Sequence, residues 1–398
     1  MKVALVSSGL LPIPPRRGGA TEVYVLKLCE ALRKLGVEAC VIDRLWNNTN
    51  RNDCIIRVKV PKLLDSKILT NVLGRYKHSI LKEVAFGISA SRALEGFEIV
   101  HANTAWVGHV LAYMTRKLRT RFVYTCHNPL WPEENVHFGE KVVRLVEGSA
   151  MRRADAVIAL NETMKKALTG RAGVDQDKVF VVPNGVDVEF FKPGLRCDEV
   201  NAKYGLEGKR VVLFVGRVTH AKGVHVLLEA IKILKDKYGL KDVKTMIVGP
   251  LSGGFGDDKP TDYVQRLREY AIKNNMDAVF TGSLDEEELR YLYSCSHVLV
   301  LPSYFEAFPM VLIEAMASGL PVIGSKAGGI VDVVEDGVNG FLFEKGSAVD
   351  LAEKLYILLS DEFLRRKLSI NSRAIAESKY SWDNVASKLL KIYRSLLK

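Results

Sequence analysis

The sequence has no long hydrophobic run and no closely spaced cysteines. Its longest apolar stretches, such as Val298–Pro302, are far too short to cross a membrane. The six cysteines, at positions 29, 40, 54, 126, 197 and 295, form no close pairs. A zinc site or a disulfide framework normally shows such pairs, so we expect neither, and we expect a reducing compartment. The GxGxxG pattern is also missing, which argues against a nicotinamide-dependent enzyme.

The length and composition indicate a soluble protein of two domains. A chain of 398 residues can build two cores, and 48% hydrophobic with 26% charged residues is an ordinary soluble composition. Met1-Lys2 leads straight into the apolar Val3–Val6, which favours a first strand over a signal peptide. We therefore expect the protein in the cytoplasm.

The net charge of +11 is unevenly distributed. Residues 1–200 contain 30 Lys and Arg against 21 Asp and Glu, whereas residues 201–398 contain 27 against 25. A basic first half favours an anionic partner there, such as lipid phosphate, nucleic acid or an acidic substrate. A solvated basic surface explains the same numbers equally well.

Two successive series of strands and helices predict two doubly wound α/β domains. In the first, Val3–Val6 is followed by glycines, an amphipathic helix from about Thr21, and a strand at Glu38–Ile42. The second begins with a strand at Arg210–Val215. We predict an N-terminal domain over 1–190 and a C-terminal domain over 191–381, with a last helix over 382–398 that joins the first domain. Ligands bind at the carboxyl ends of such strands, so we expect a cleft between two facing domains.

Two cations follow the first strand of the second series. Arg217 comes just after Arg210–Val215, and Lys222 stands five residues on. Arginine offers a planar fork for phosphate oxygens and lysine a compact charge, so together they suit a diphosphate. As an isolated pair, they would fit a charged surface turn better.

Two carboxylates eight residues apart bracket a second strand-to-helix turn. Glu306 precedes the predicted helix and Glu314 lies inside it, with Pro309 suited to the first helical turn. Carboxylates accept hydrogen bonds from sugar hydroxyls, although the helix dipole alone favours an acidic residue near the start. The N–H groups of Phe308, Met310 and Val311 are predicted to be free for an anion.

The N-terminal half has weaker signals. Gly18-Gly19 follows the first strand and opens a helix, which lets backbone approach a ligand. His127 follows the strand Arg121–Thr125 and can bond a hydroxyl, or can be structural. Asn184-Gly185 follows another strand, and turn chemistry alone explains this pair.

The ordered set of motifs resembles the retaining glycosyltransferases of the GT-B fold, in glycosyltransferase family 4, also called glycosyl transferases group 1. The resemblance covers almost the whole chain and is carried by these segments: Gly18-Gly19, Thr125-Cys126-His127, Val182–Asp187, Val215–Gly223, Glu306–Pro321, Ala327–Ile330, Asp336–Gly340 and Ser381-Trp382. It implies two Rossmann-like domains that face each other across a cleft, with the acceptor on the first and the nucleotide sugar on the second.

The resemblance also implies roles for individual residues. Arg217 and Lys222 would bind the donor diphosphate, Glu306 the transferred sugar, and Glu314 the ribose hydroxyls. Backbone amides at Phe308, Met310 and Val311 would help to hold phosphate and sugar. Gly18, Gly19 and Asn184 would belong to the donor site, and His127 would bond a hydroxyl of the donor sugar. We expect no metal and no cofactor, because the nucleotide sugar is a substrate; UDP is the default nucleotide.

Two positions depart from the family pattern. Many relatives have Glu-Gly-Phe-Gly where this chain has Glu306-Ala307-Phe308-Pro309, and Pro309 removes one amide donor. Asn128 stands where many relatives carry Asp or Gly. These changes bear on the choice of sugar and leave the class unaltered.

A basic amphipathic segment in the first half bears on the acceptor. The range Lys62–Lys82 has five Lys and Arg, one Asp and eight large aliphatic residues. It fits peripheral contact with the inner face of a membrane, which suits a lipid-linked acceptor, and it fits a cover on a soluble domain as well.

Two other functions stay open: a nucleotide-sugar epimerase of the GT-B fold, and a non-catalytic nucleic-acid-binding protein, although no nucleic-acid-binding motif is present.

Overall fold

The computed structural model describes residues 1–15, 19–46, 54–128, 131, 138–252 and 261–398. The chain divides into two compact units: an N-terminal unit of Met1–Gly185 with Trp382–Lys398, and a C-terminal unit of Val186–Ser381. The sequence predicted the boundary between residues 190 and 191. The division comes earlier, between Gly185 and Val186.

The N-terminal unit is built on a seven-stranded sheet in which every described strand pair is parallel. Its strands are β1 (Lys2–Val6), β2 (Glu38–Arg44), β3 (Ile55–Val58), β4 (Ile99–Ala102), β5 (Arg121–Cys126), β6 (Ala156–Ala159) and β7 (Val179–Val181). Their order is β3-β2-β1-β4-β5-β6-β7. The direction of winding therefore reverses between β1 and β4, the point at which such sheets bind ligands.

The described residues of this unit form the helices α1 (Ala20–Lys34), α2 (Lys67–Ser91), α3 (Ala105–Leu118), α4 (Phe138–Arg153), α5 (Glu162–Gly170) and α13 (Trp382–Leu396). The helix α2 is interrupted at Gly74, whose φ of 75° is not helical. Apolar side chains of α1, β1 and α13 pack in one cluster, which fixes the last helix in the core of the first unit. His101 on β4 reinforces this packing, because its Nδ1 lies 2.5 Å from the hydroxyl of Tyr393 on α13.

The C-terminal unit contains a six-stranded sheet, again with parallel pairs in the described residues. Its strands are β8 (Arg210–Val215), β9 (Val243–Val248), β10 (Asp277–Gly282), β11 (Val298–Leu301), β12 (Val322–Ser325) and β13 (Gly340–Phe343), in the order β10-β9-β8-β11-β12-β13. Here the winding reverses between β8 and β11. The helices are α6 (Asp198–Tyr204), α7 (Val224–Tyr238), α8 (Asp262–Lys273), α9 (Glu286–Cys295), α10 (Met310–Ala317), α11 (Ala348–Ser360) and α12 (Glu362–Ile375).

The α/β class with two Rossmann-like sheets confirms the fold predicted from the sequence. That prediction rested on the alternation of apolar strands with amphipathic helices. The ends of most predicted strands agree with the structure to within two residues. The short strands β3 and β13 were not predicted. Within the described residues, no helix is both long enough and apolar enough to pass through a bilayer.

The absence of disulfides was a wrong prediction. Cys197, just before α6, and Cys295, the last residue of α9, form a disulfide with Cα atoms 5.8 Å apart. The two cysteines are separated by 98 positions in the sequence, so spacing gave no sign of the pairing. The fold brings the start of α6 to the end of α9, and sequence distance says nothing about this contact.

Candidate functional site

The turn after β8 holds the two predicted phosphate-binding cations. The side chain of Arg217 is exposed, and among the described residues no carboxylate forms an ion pair with it. Lys222 ends a short 3₁₀ turn, His220–Lys222, and Gly223 then begins α7 with a φ of 69°. A Cβ on Gly223 would lie 2.0 Å from the carbonyl oxygen of Pro302, so glycine allows this turn to touch the segment after β11.

Lys222 and Glu306 form a direct ion pair across these two turns. The Lys222 Nζ lies 2.5 Å from Glu306 Oε1, and the Ser303 hydroxyl donates to the same oxygen at 2.7 Å. Both side chains of the ion pair are largely buried, with 22% and 14% exposure. The strands β8 and β11 flank the point where the sheet reverses, so the pair lies where a ligand is expected in this fold.

The backbone of Glu306 is fixed by the loop after β12. Its carbonyl oxygen accepts a hydrogen bond from the N–H of Gly329 at 2.7 Å. Gly328 has a φ of 50°, and a Cβ on it would lie 2.3 Å from the same oxygen. The Gly328-Gly329 pair therefore permits a close backbone contact that holds Glu306 in place.

Glu314 lies on α10 and is bonded to a residue that the sequence did not point to. The hydroxyl of Tyr293, on α9, donates to Glu314 Oε2 at 2.9 Å. Burial raises the pKa of Glu314 to about 7, so its carboxyl group is poised between its two forms near neutral pH. A carboxylate that is only half satisfied can accept hydroxyl groups of a ligand.

The helix start between these two carboxylates differs from the prediction. Pro309 is the residue before α10, not the first helical residue, and the N–H of Met310 donates to the carbonyl of Phe308 at 3.2 Å. The prediction of a free N–H at Met310 is therefore wrong. Phe308 itself packs edge-on against Tyr380 at 6.3 Å between ring centroids, and Val311 lies in the first turn of the helix.

A cluster of histidine and tyrosine rings beside Lys222 was not predicted. The rings of His220 and His225 stack at 4.6 Å, and Tyr304 stacks on His225 at 5.9 Å. The two ring nitrogens of His225 pair with the hydroxyls of Tyr263 at 2.9 Å and Tyr304 at 3.2 Å. Since Tyr304 is two residues before Glu306, this cluster supports the turn that carries the ion pair. Its histidines are five residues apart, but its tyrosines come from two distant segments, so the cluster forms no motif.

The N-terminal unit carries its own candidate residues at the matching edge of its sheet. Gly19 precedes α1 with a φ of 85°, which glycine tolerates best, while Gly18 falls outside the described residues. Glu22, on the first turn of α1, accepts a hydrogen bond from the Ser8 hydroxyl and is buried. This turn is therefore held by a side-chain contact between the end of β1 and α1.

His127 lies directly after β5, as predicted. Its Nε2 pairs with Asn103 Oδ1 at 3.3 Å, and its ring meets the edge of Tyr24 at 4.7 Å between centroids. Burial lowers the pKa of His127 to about 4, so the ring is neutral at pH 7. A neutral imidazole can donate or accept one hydrogen bond with a sugar hydroxyl.

Asn184 and Gly185 lie at the end of the N-terminal unit. Within the described residues, Asn184 Oδ1 is buried without a hydrogen-bond partner, so it is available to a ligand. Gly185 is explained by packing: a Cβ there would lie 2.3 Å from the indole of Trp382. Close contact with the last helix, and not turn chemistry alone, selects glycine at this position.

The structure thus places Arg217, Lys222 and Glu306 in the turns after β8 and β11 and Glu314 on α10, all in the C-terminal unit. Gly19, His127 and Asn184 lie in the N-terminal unit. In the part of the chain that the structure describes, no group of three or more His, Cys, Asp or Glu residues could hold a metal ion.

Two family models match the chain, one in each half. The model of Glycosyltransferase Family 4 matches residues 18–190, and the model of Glycosyl transferases group 1 matches residues 198–375. Among curated proteins, the spore coat protein SA of Bacillus subtilis is 28% identical over 99% of both chains. The D-inositol 3-phosphate glycosyltransferase of Corynebacterium urealyticum is 27% identical over 100% of this chain and 96% of its own.

Solved structures with the same fold cover the whole chain. Sucrose-phosphate synthase from Thermosynechococcus elongatus superposes with a TM-score of 0.78 at 25% identity, covering 100% of this chain and 99% of that one. Anabaena Alr3699/HepE in complex with UDP superposes with a TM-score of 0.76 at 22% identity, covering 99% and 100%. A complex of the same Anabaena protein with UDP-glucose gives a TM-score of 0.75.

Proposed function

The chain belongs to the GT-B glycosyltransferases, with a Family 4 half followed by a group 1 half, and we propose from this premise which transfer it performs. It moves a sugar from a nucleoside-diphosphate sugar, with UDP as the nucleotide, to an acceptor hydroxyl. The anomeric configuration is retained and no metal ion takes part. The acceptor is a glycan or a lipid-linked glycan.

The observation that carries this proposal is the Lys222–Glu306 pair, with Arg217 exposed in the same turn as Lys222 and without an ion pair in the described residues. When the bond from the sugar to the diphosphate breaks, negative charge grows on the leaving phosphate. Fixed cations aimed at that charge are the largest source of rate enhancement in such reactions. Arg217 and Lys222 supply two such cations, and Glu306 supplies an acceptor for the hydroxyls of the transferred sugar.

The remaining site residues take supporting roles. Glu314 accepts the ribose hydroxyls, and the buried acceptor oxygen of Asn184 adds a polar contact to the donor. His127, neutral at pH 7, bonds a hydroxyl of the transferred sugar. Glu306 orients the sugar and stabilises positive charge at the anomeric carbon, and the leaving phosphate takes the proton of the attacking hydroxyl.

A screen of nucleotides and sugars tests the donor. Ligands that bind only the folded state raise its melting temperature, so UDP and UDP-glucose should raise it more than the GDP and ADP forms. Transfer is then assayed with the preferred donor and a panel of glycan and polyol acceptors, including inositol phosphate because relatives are named for it. The anomeric configuration of the product, determined by NMR, must match that of the donor.

The same assay separates the two alternative functions. An epimerase converts or hydrolyses the donor without any acceptor. Product formed from the donor alone would therefore favour the epimerase over the transferase function. A nucleic-acid-binding protein would shift RNA or DNA in a gel in a salt-dependent way and show no affinity for nucleotide sugars.

An exposed apolar face in the N-terminal unit supports contact with a membrane. Leu63, Ile68 and Val72 are 74%, 76% and 75% exposed, and Tyr76, beyond the interruption of α2 at Gly74, is 58% exposed. Lys62 and Lys77 are exposed beside them. Apolar side chains flanked by lysines suit the surface of an anionic bilayer. The apolar side chains enter the acyl region, and the lysines contact the anionic headgroups. The occupant of this face is therefore an anionic lipid surface that carries the acceptor.

Co-sedimentation with vesicles tests this contact. The protein should sediment with vesicles rich in phosphatidylglycerol. With vesicles of phosphatidylcholine alone, it should stay in the supernatant. The double variant Ile68→Ser/Val72→Ser should lose binding, whereas Phe363→Ser should keep it, since Phe363 is equally exposed at 81% but lies in the C-terminal unit. The proposal would be refuted if binding were independent of lipid charge. It would also be refuted if both variants lost binding to the same extent.

A further inference from the structure

A buried carboxylate joins the helix α4 to the segment that follows β5. Glu147 lies within α4 and is 2% exposed. Its Oε1 accepts hydrogen bonds from the Tyr124 hydroxyl at 2.7 Å and the Cys126 thiol at 3.8 Å. Its Oε2 accepts from Asn128 Nδ2 at 2.9 Å and from the indole N–H of Trp131 at 2.6 Å. One side chain thus binds residues on both sides of His127.

The chemistry of these partners requires an acceptor at this position. An indole N–H and an amide N–H can only donate, and both point at Oε2. An apolar residue in place of Glu147 would remove the acceptor of the buried Trp131 indole N–H, and proteins avoid leaving such a donor unsatisfied. Glutamine could keep both bonds through its oxygen only if its amide group faced Tyr124 and Cys126.

The far end of the segment is anchored as well. Arg171 donates to the carbonyl oxygen of Trp131 at 3.1 Å, and the guanidinium of Arg144 lies over the indole at 5.7 Å. Trp131 is therefore buried support for the segment and is not available to stack on a sugar.

His127 has few other contacts that could determine its position. Among the described residues, its ring meets the edge of Tyr24, and its Nε2 donates a long hydrogen bond to Asn103 Oδ1 at 3.3 Å. The backbone on either side is held by Tyr124 and Cys126 before it and by Asn128 and Trp131 after it, and all four bind Glu147.

We propose that Glu147 is the positioning residue for His127: it holds the segment after β5 so that the imidazole meets the hydroxyl of the transferred sugar. This inference rests on the proposed function, in which His127 contacts the substrate. Glu147 makes no such contact and acts only through the segment. Misplacing a substrate-binding group by about 1 Å costs on the order of a hundredfold in rate, so the effect should be large.

The test uses Glu147→Leu, Asn128→Ala and His127→Ala in the full chain. We expect Glu147→Leu to lower kcat by about tenfold to a hundredfold. The affinity for UDP, measured by calorimetry, should stay within twofold, because the cations for the diphosphate lie in the C-terminal unit. Asn128→Ala removes the bond from Nδ2 to Glu147 and keeps the other three, so it should cause a smaller loss of the same kind and remains informative if Glu147→Leu does not fold.

A double-mutant cycle distinguishes positioning from stability. If Glu147 acts through His127, Glu147→Leu should add less than twofold to the loss already caused by His127→Ala. Additive losses would overturn the proposal. The buried change Thr115→Ala on α3 is the control for general destabilisation, and it should lower the melting temperature without changing kcat.

A spectroscopic measurement separates this inference from the proposed function. The ring signals of His127 in the NMR spectrum should shift in Asn128→Ala and Glu147→Leu, and should stay in place in Thr115→Ala. If His127→Ala has normal activity, the role of His127 in transfer fails, but the shifted signals still support positioning by Glu147. Unchanged signals would refute positioning whatever the activity.

Discussion

The ammonium group of Lys222 lies 2.5 Å from the carboxylate of Glu306, so the residue expected to meet phosphate is paired with the residue expected to meet the sugar. The same oxygen of Glu306 also accepts from Ser303, which leaves the other oxygen for a ligand. A diphosphate that arrives next to Lys222 would share this cation with Glu306. In the proposed function, this pair would set the distance between the phosphate and sugar positions before the donor binds.

Removing the lysine charge should impair turnover more than binding. We expect Lys222→Met to reduce kcat by about a hundredfold or more, because it removes a fixed charge that stabilises the leaving diphosphate. It also leaves Glu306 largely buried with only Ser303 as partner, which repels the incoming phosphates. Steady-state kinetics with UDP-glucose and UDP affinity by calorimetry measure the two effects.

The control for this variant is another paired lysine of the same unit. Lys232 pairs with Asp236 at 2.5 Å on the exposed side of α7, and exposed pairs of this kind contribute little. Lys232→Met should therefore leave kinetics unchanged. If Lys222→Met behaves like Lys232→Met, the cation has no part in transfer.

Binding of UDP should release protons from Glu314. Burial raises its pKa to about 7, so near neutral pH the free protein holds a proton there about half of the time. Ribose hydroxyls that donate to the carboxylate favour the ionised form and lower this pKa, so UDP affinity should rise as the pH increases through 7. Calorimetry in buffers of different ionisation enthalpy should detect about 0.5 more protons released than in Glu314→Gln at pH 7. Equal proton release in both proteins would remove Glu314 from the ribose site.

The sequence predicted the parts of the site that lie at the ends of strands. Arg217, Lys222 and Glu306 could be found because parallel strands bring their carboxyl ends to one edge, so a residue just after a strand has a predictable place. The partners Tyr293 and Glu147 could not, because they reach the site from the middle of helices. There they look like ordinary amphipathic helix residues.

The same limit explains the errors. The Cys197–Cys295 pair depends on how α6 packs against α9, and a helical pattern shows which face is buried but not which neighbour covers it. The Met310 N–H bonds locally because Pro309 delays the start of α10 by one residue, and helix boundaries are the least predictable feature of a sequence. The parallel sheets, which follow from the alternation of strands and helices, were predictable by contrast.

The disulfide should stabilise the protein without taking part in transfer. It closes a loop with a sequence separation of 98 residues, and the chain-entropy model assigns such a loop about 4.7 kcal/mol of free energy of unfolding. The pair borders an open cavity of about 350 Å³, so a small phosphine reductant can reach it. Reduction, or the double variant Cys197→Ser/Cys295→Ser, should lower the free energy of urea unfolding by that amount and leave kcat at 25 °C unchanged. A thiol count of six instead of four in the denatured, unreduced protein would show that the bond is absent.

Two glycines with nearly the same φ test the close contact between Gly223, next to Lys222, and Pro302. Gly223 and Gly239 have φ values of 69° and 71°, but a Cβ on Gly223 would lie 2.0 Å from the Pro302 carbonyl oxygen, whereas a Cβ on Gly239 would meet nothing within 4 Å. Alanine at Gly239 should cost about 1 kcal/mol of stability from backbone strain alone and leave donor binding intact. Alanine at Gly223 adds the clash, which forces the turn with Lys222 away from the segment that carries Glu306. We therefore expect Gly223→Ala to weaken UDP-glucose binding and turnover at least tenfold more than Gly239→Ala, measured at a temperature where both variants are folded. Equal effects of the two alanines would show that the contact between the turns does not set the geometry of the site.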